Sequence, residues 1–97
     1  MNSALAELRN VYLQSLPEKL EALTRAVEQT DYGMFVRLGH QLKGSGRSYG
    51  FAEVSEIGAR IEQVGVDRRQ ALLEPTLIEF RELIRKLLTH VAPTEKL

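Results

Sequence analysis

Apolar side chains recur at steps of three and four along almost the whole chain. Leu5, Leu8, Tyr12, Leu16, Leu20, Leu23 and Val27 fall on one helical stripe, which predicts a first amphipathic helix of about 25 residues. Pro17 lies inside that stripe, and because proline lacks a backbone donor and crowds the preceding turn, a kink or a short separate leading helix is expected there. A second helix is expected to start at Thr30 or Asp31, either of which can cap it, and to run to Arg47 or Ser48. The stretch "YGF" then ends it, with Gly50 suited to a left-handed stop. A third stripe uses Val54, Ile57, Ile61 and Val64 and ends at Gly65. A fourth uses Leu73, Leu77, Ile84, Leu88 and Val91, with Phe80 and Leu87 beside it. Asp67 and Gln70 have capping-box spacing for this last helix, while Pro75 as a first-turn residue offers a later start. Strand-like alternation is absent. Four amphipathic helices with short connections predict an all-α, antiparallel up-and-down four-helix bundle, one domain over residues 1–97, with the terminal "PTEKL" frayed.

One segment breaks the pattern. Residues 39–51 read "GHQLKGSGRSYGF", and glycine in a helix interior costs about 1 kcal/mol relative to alanine. At about 100° per residue, Met34, Phe35, Leu38 and Leu42 cluster on one side of the second helix and His40 falls opposite them. His40 is therefore expected at the surface near the middle of the helix, with Leu38 and Leu42 buried. Val36, Arg37, Lys43, Gly44 and Arg47 surround it on the exposed face. Ser45 and Gly46 turn toward the core, where small residues let a neighbouring helix approach. Gly44 leaves the surface bare one turn from the imidazole.

Composition narrows the chemistry. The 97 residues are 43% apolar and carry thirteen basic and thirteen acidic side chains, so net charge gives no support to a nucleic-acid-binding reading. Cysteine is absent, and the two histidines, His40 and His90, lie far apart, so no metal site is indicated. His90 reads as an ordinary surface or helix-end residue. The "GSG" follows the histidine rather than a strand, so it is no phosphate-cradling loop, and the chain is too short for an ATP-binding kinase. The N-terminal stretch shows neither a leader nor a membrane span, which gives the expectation of a soluble, cytoplasmic protein.

An exposed, unprotonated imidazole is a nucleophile. A dianionic phosphoryl group on it would be attracted to Lys43 and to Arg37 or Arg47, each unit-charge pair being worth about 1 to 3 kcal/mol at ~6 Å. "HQLKGSG" followed by "YGF" resembles the His-x-Leu-Lys-Gly-small signature of histidine-containing phosphotransfer (HPt) domains, and the resemblance covers most of the chain. It implies a four-helix bundle in which His40 accepts and donates phosphate through Nε2. Lys43 would assist the phosphoryl group, and Gly44 would give a partner access. "FAEVSEIGARIEQVG" fits the family's next helix, where some members place a glutamine against the imidazole. The matching residue here is Glu62, which either orients Nδ1–H or is solvated. The resemblance further implies a carrier in a multistep phosphorelay, without ATP turnover, exchanging phosphate with an aspartate on a response-regulator receiver domain, which can belong to a hybrid histidine kinase. Because the four stripes can satisfy one another within one chain, a monomer is expected. The chain itself would bind no cofactor, and Mg²⁺ would sit in the receiver. Docking would use the face around His40, with Val36 and residues of the first helix. Two alternatives stay open: the phosphoacceptor module of a chemotaxis-type kinase, and a helical adaptor that docks on a receiver without taking phosphate.

Overall fold

The computed structural model describes residues 3–91, which form α1 (Ser3–Gln29), α2 (Tyr32–Ser48), α3 (Ala52–Asp67) and α4 (Gln70–Val91). Each link is two or three residues long, so consecutive helices must reverse direction, and each link has its own local chemistry. Thr30 takes a left-handed φ of 53° and Asp31 caps α2, its carboxylate accepting the Met34 N–H at 3.1 Å. At the second corner Gly50 has φ +89°, a conformation costly for a residue with a Cβ. Tyr49 and Phe51 on either side of it stack on Tyr12 of α1, with ring centroids 4.5 and 6.0 Å away. Burial raises the Tyr12 phenol above its ordinary pKa, and the hydroxyl pairs with Ser45 Oγ at 2.7 Å. At the third corner Arg68 is left-handed and its guanidinium lies 4.8 Å from the Tyr32 ring centroid.

The pairings fix an antiparallel register. Lys86 reaches Glu53 and Arg60 reaches Glu79, so α4 runs back along α3. α1 packs on α2 and α4, and α3 on the same two helices, closing a four-helix bundle. Leu13, Leu16 and Leu23 of α1, Phe35 and Leu42 of α2, Val54 and Ile61 of α3, and Leu73 and Phe80 of α4 fill the interior.

Several expectations shift. No separate leading helix forms at Pro17, which sits exposed inside an unbroken α1. Buried Leu13 and Leu16 before it and Leu23 after it hold both halves on the bundle, and the ring faces water. Leu5 and Leu8 are 44% and 54% exposed. α1 is about 40 Å long against about 26 Å for α2, so its first turns extend beyond the length that α2 can cover. Asp67 is no N-cap: α3 continues through it, and its carboxylate accepts from Gln63 Nε2 within the same helix. Pro75 does not begin α4, which starts at Gln70, and Leu38 is half-buried rather than buried. The expectations for "PTEKL" and for the His90 side chain fall outside what is described.

α2 and α3 approach each other backbone to backbone. A Cβ at Gly39 would lie 2.4 Å from the Glu62 nitrogen, and one at Gly58 would lie 2.5 Å from the Lys43 nitrogen. Gly46 and Gly65 are equally closed, against Ser55 and Phe35. Ser45 and Gly46 were expected to face inward, and both do. This close seam brings a side chain of α3 to the outward face of α2.

Candidate functional site

His40 stands on the outer face of α2 with 70% of its side chain exposed, opposite the fully buried Leu42 and Phe35. The half-buried Glu62 reaches it from α3. One carboxylate oxygen, Oε2, is 3.3 Å from His40 Nδ1, and the other, Oε1, is 3.1 Å from Lys43 Nζ. Because Lys43 follows His40 by three residues, both point to the same side of the helix. Of the two roles left open for Glu62, contact with the imidazole is the one the geometry gives.

The hydrogen bond from Lys43 holds the Glu62 carboxyl below its ordinary pKa; partial desolvation opposes this, while the Lys43 charge and His40 add to it. An ionised carboxylate can only accept, so the hydrogen between it and Nδ1 belongs to the ring. With Nδ1 carrying that hydrogen, Nε2 of the neutral imidazole keeps a lone pair. The orientation of the ring and its tautomer are thus set by one residue on the neighbouring helix.

This arrangement is sensitive to acid, with a definite sign. Between the lowered folded pKa of Glu62 and its ordinary value the unfolded chain binds more protons, so stability rises with pH in that window. The contribution is complete above the ordinary carboxylate range and is lost as pH falls through the lowered value. Glu62→Gln is therefore expected to lower the urea midpoint at pH 7, with the difference shrinking as the pH falls through the lowered Glu62 value and the native side chain becomes neutral as well. A difference that stays constant down the whole acid series would contradict the pairing.

Gly44, one turn beyond His40, is open: a Cβ built there meets nothing within 4 Å. It differs in this from Gly39 and Gly46 on the same helix. A shallow depression beside the imidazole is lined by Gly33, Val36, Arg37, His40, Gln41 and Glu62. Val36 is half-buried in its wall, and Arg37 is exposed, with Nη2 3.6 Å from Met34 Sδ. Arg47 lies on the same outward stripe but forms no hydrogen bond or ion pair with the His40 group. Neither arginine is paired with a carboxylate among the described residues. His40, Lys43 and Glu62 thus come together, Gly44, Val36 and Arg37 border them, and Arg47 stands apart.

A family model, the Hpt domain, matches residues 7–92 and so spans the helices that carry all of these residues. The chain belongs to the Hpt domain family. Hpt domains serve histidine phosphotransfer in two-component signalling and interact with receiver domains. Comparison with curated proteins and with solved structures returns no match. Among the described residues of this Hpt domain, no helix is long and apolar enough to cross a membrane, and no three His, Cys, Asp or Glu side chains gather as metal ligands.

Sequence reasoning passed over Gly33, Gly39, Gly58 and Ser55. The glycines did leave a signal: Gly39 and Gly46 are seven apart, as are Gly58 and Gly65, which places each pair on one face of its helix. Two bare faces on consecutive helices mark a close seam. Ser55 left no comparable mark, since its partners are main-chain atoms of another helix.

Proposed function

We propose that His40 is the phosphoryl acceptor and donor of a phosphorelay carrier, exchanging the group with the aspartate of a response-regulator receiver domain. The observation that carries this reading is the shared carboxylate of Glu62, which takes Nδ1–H and leaves the lone pair of Nε2 available on a largely exposed ring. In the forward step that lone pair forms the N–P bond while the O–P bond to the aspartyl carboxyl breaks, its electron pair returning to the carboxylate. No proton has to move. Positive charge that develops on the imidazole is met by Glu62, and negative charge on the transferring oxygens by Lys43, 3.1 Å from the same carboxylate.

Mg²⁺ belongs to the receiver in this scheme, and this chain binds no cofactor and turns over no ATP. The receiver docks over the depression beside His40, with Val36 and Arg37 at its edge and the open position at Gly44 admitting its active site. Arg47 adds positive charge at longer range on the same stripe. In this reading the carrier works in the cytoplasm, and as a monomer, since apart from the first turns of α1 the apolar stripes largely cover one another within one chain.

The deciding experiment mixes the protein with a panel of receiver domains phosphorylated on aspartate in the presence of Mg²⁺. Label should pass to this chain within minutes from at least one of them, as an acid-labile, base-stable phosphoramidate that maps to His40. If every receiver binds or fails to bind without passing label, the carrier reading is lost and a non-phosphorylated adaptor takes its place. Light scattering across a concentration series checks the monomer, and a constant dimer mass would contradict it.

A further inference from the structure

Ser55 and Thr76 are the polar side chains buried among the described residues, and Ser55 has an unusual pair of partners. Its hydroxyl accepts the Arg47 N–H at 2.6 Å and donates to the Lys43 carbonyl at 2.7 Å. Those two groups bond each other in a regular helix, as residue i and residue i−4. A hydroxyl of α3 therefore bonds both groups of one rung of the α2 ladder, one turn past His40.

The same face of α3 carries Gly58 three residues on and Glu62 seven residues on. Each meets a different part of Lys43. Ser55 holds its carbonyl, the missing side chain of Gly58 leaves room for its backbone nitrogen, which a Cβ would approach to 2.5 Å, and Glu62 holds its ammonium at 3.1 Å. A lysine has four rotatable side-chain bonds, so an ion pair alone fixes the charge loosely; anchoring the carbonyl fixes where the side chain begins.

We infer that Ser55 is a positioning residue for phosphotransfer, acting through Lys43 by clamping its main chain while Glu62 holds the other end. This rests on the reading of His40 as the acceptor. It also explains why Gly44 can stay without a side chain: the turn that contains it is held from α3 by the Ser55 hydroxyl, which bonds the residues at positions 43 and 47 on either side of it.

Ser55→Ala tests the inference cleanly, because the Arg47 N–H and the Lys43 carbonyl stand as residues i and i−4 of α2 and have each other as partners, so neither is left buried without one. Transfer from a saturating phosphorylated receiver should fall about fivefold, with receiver affinity unchanged. In a Lys43→Ala background the same substitution should have no further effect. Equal losses in both backgrounds would reduce Ser55 to a general packing role, and no loss in the native background would overturn the inference outright. A second readout does not depend on phosphate: titration of the Glu62 carboxyl followed by NMR should move up toward the ordinary carboxylate value in Ser55→Ala, because Lys43 is its principal stabilising partner. An unchanged titration would overturn the clamp. A native protein that takes phosphate from no receiver defeats the reading of His40, while the Glu62 titration still decides on Ser55. If Ser55→Ala fails to fold, Ser55→Cys, with a weaker donor and acceptor at the same place, is carried through both measurements with the same expected signs.

Discussion

Gly39→Ala is expected to lower the melting temperature by about 8–16 °C, while Gly44→Ala, five residues along the same helix, raises it by about 4–8 °C. A Cβ at position 39 would lie 2.4 Å from the Glu62 nitrogen, 2.7 Å from the Glu62 Cα and 2.8 Å from the Gly58 oxygen. All three are main-chain atoms, so no side chain can swing aside and α2 must move off α3. Overpacking of this kind costs about 3 kcal/mol, the upper end of its usual range. The better helix propensity of alanine returns about 1 kcal/mol, which leaves a net loss of about 2 kcal/mol. At position 44 there is nothing within 4 Å of the new methyl group, so only the propensity gain remains. Thermal melts followed by circular dichroism separate the two cases. A Gly39→Ala protein as stable as the native one would mean that the two backbones do not meet as described.

That contrast also shows where the sequence is readable and where it is not. The apolar stripes are legible because burial on one face imposes a period, and Leu16, Leu23, Leu42, Ile61, Leu73 and Phe80 are all buried as their spacing requires. The outward placement of His40 follows from the same arithmetic. Glycine is ambiguous, since one residue type serves three physical ends. Gly50 is needed for its φ of +89°, Gly39 and Gly58 for contact, and Gly44 lies against open space. The end of the third apolar stripe at Gly65 suggests a helix stop, yet Gly65 is a contact position against Tyr32, Phe35 and Val36. The helix runs on to Asp67, and the left-handed residue that ends it is Arg68, whose side chain lies over Tyr32. No local signal distinguishes those uses, because what decides them is the other helix. Glu62 illustrates the same limit from the side of chemistry. The family resemblance that singled it out left either solvent or the imidazole open, and the close α2–α3 seam brings the α3 backbone to within contact of Gly39 and the carboxylate to the ring.

His40→Gln is expected to abolish phosphoryl acceptance while leaving the fold and its stability nearly unchanged. The side chain is 70% exposed, so the substitution belongs with surface changes worth less than about 0.5 kcal/mol. Lys43 and Glu62 remain paired without the ring. What disappears is the ring nitrogen lone pair, for which an amide offers no substitute as a nucleophile. Label transfer from a phosphorylated receiver should therefore drop below detection, with receiver binding retained. Lys43→Ala should slow transfer about tenfold to a hundredfold without stopping it, since it removes one charge from a partly solvated site. Gly44→Gln completes the argument by dissociating stability from function. The longer side chain enters open space on the docking face, so the melting temperature should rise or hold while transfer falls and the receiver binds more weakly. Should Gly44→Gln transfer at the native rate, the receiver does not approach over the turn that follows His40, and the open surface there has another cause. Should His40→Gln still take up acid-labile phosphate, the acceptor is a different side chain and the paired geometry of His40, Glu62 and Lys43 serves something other than transfer.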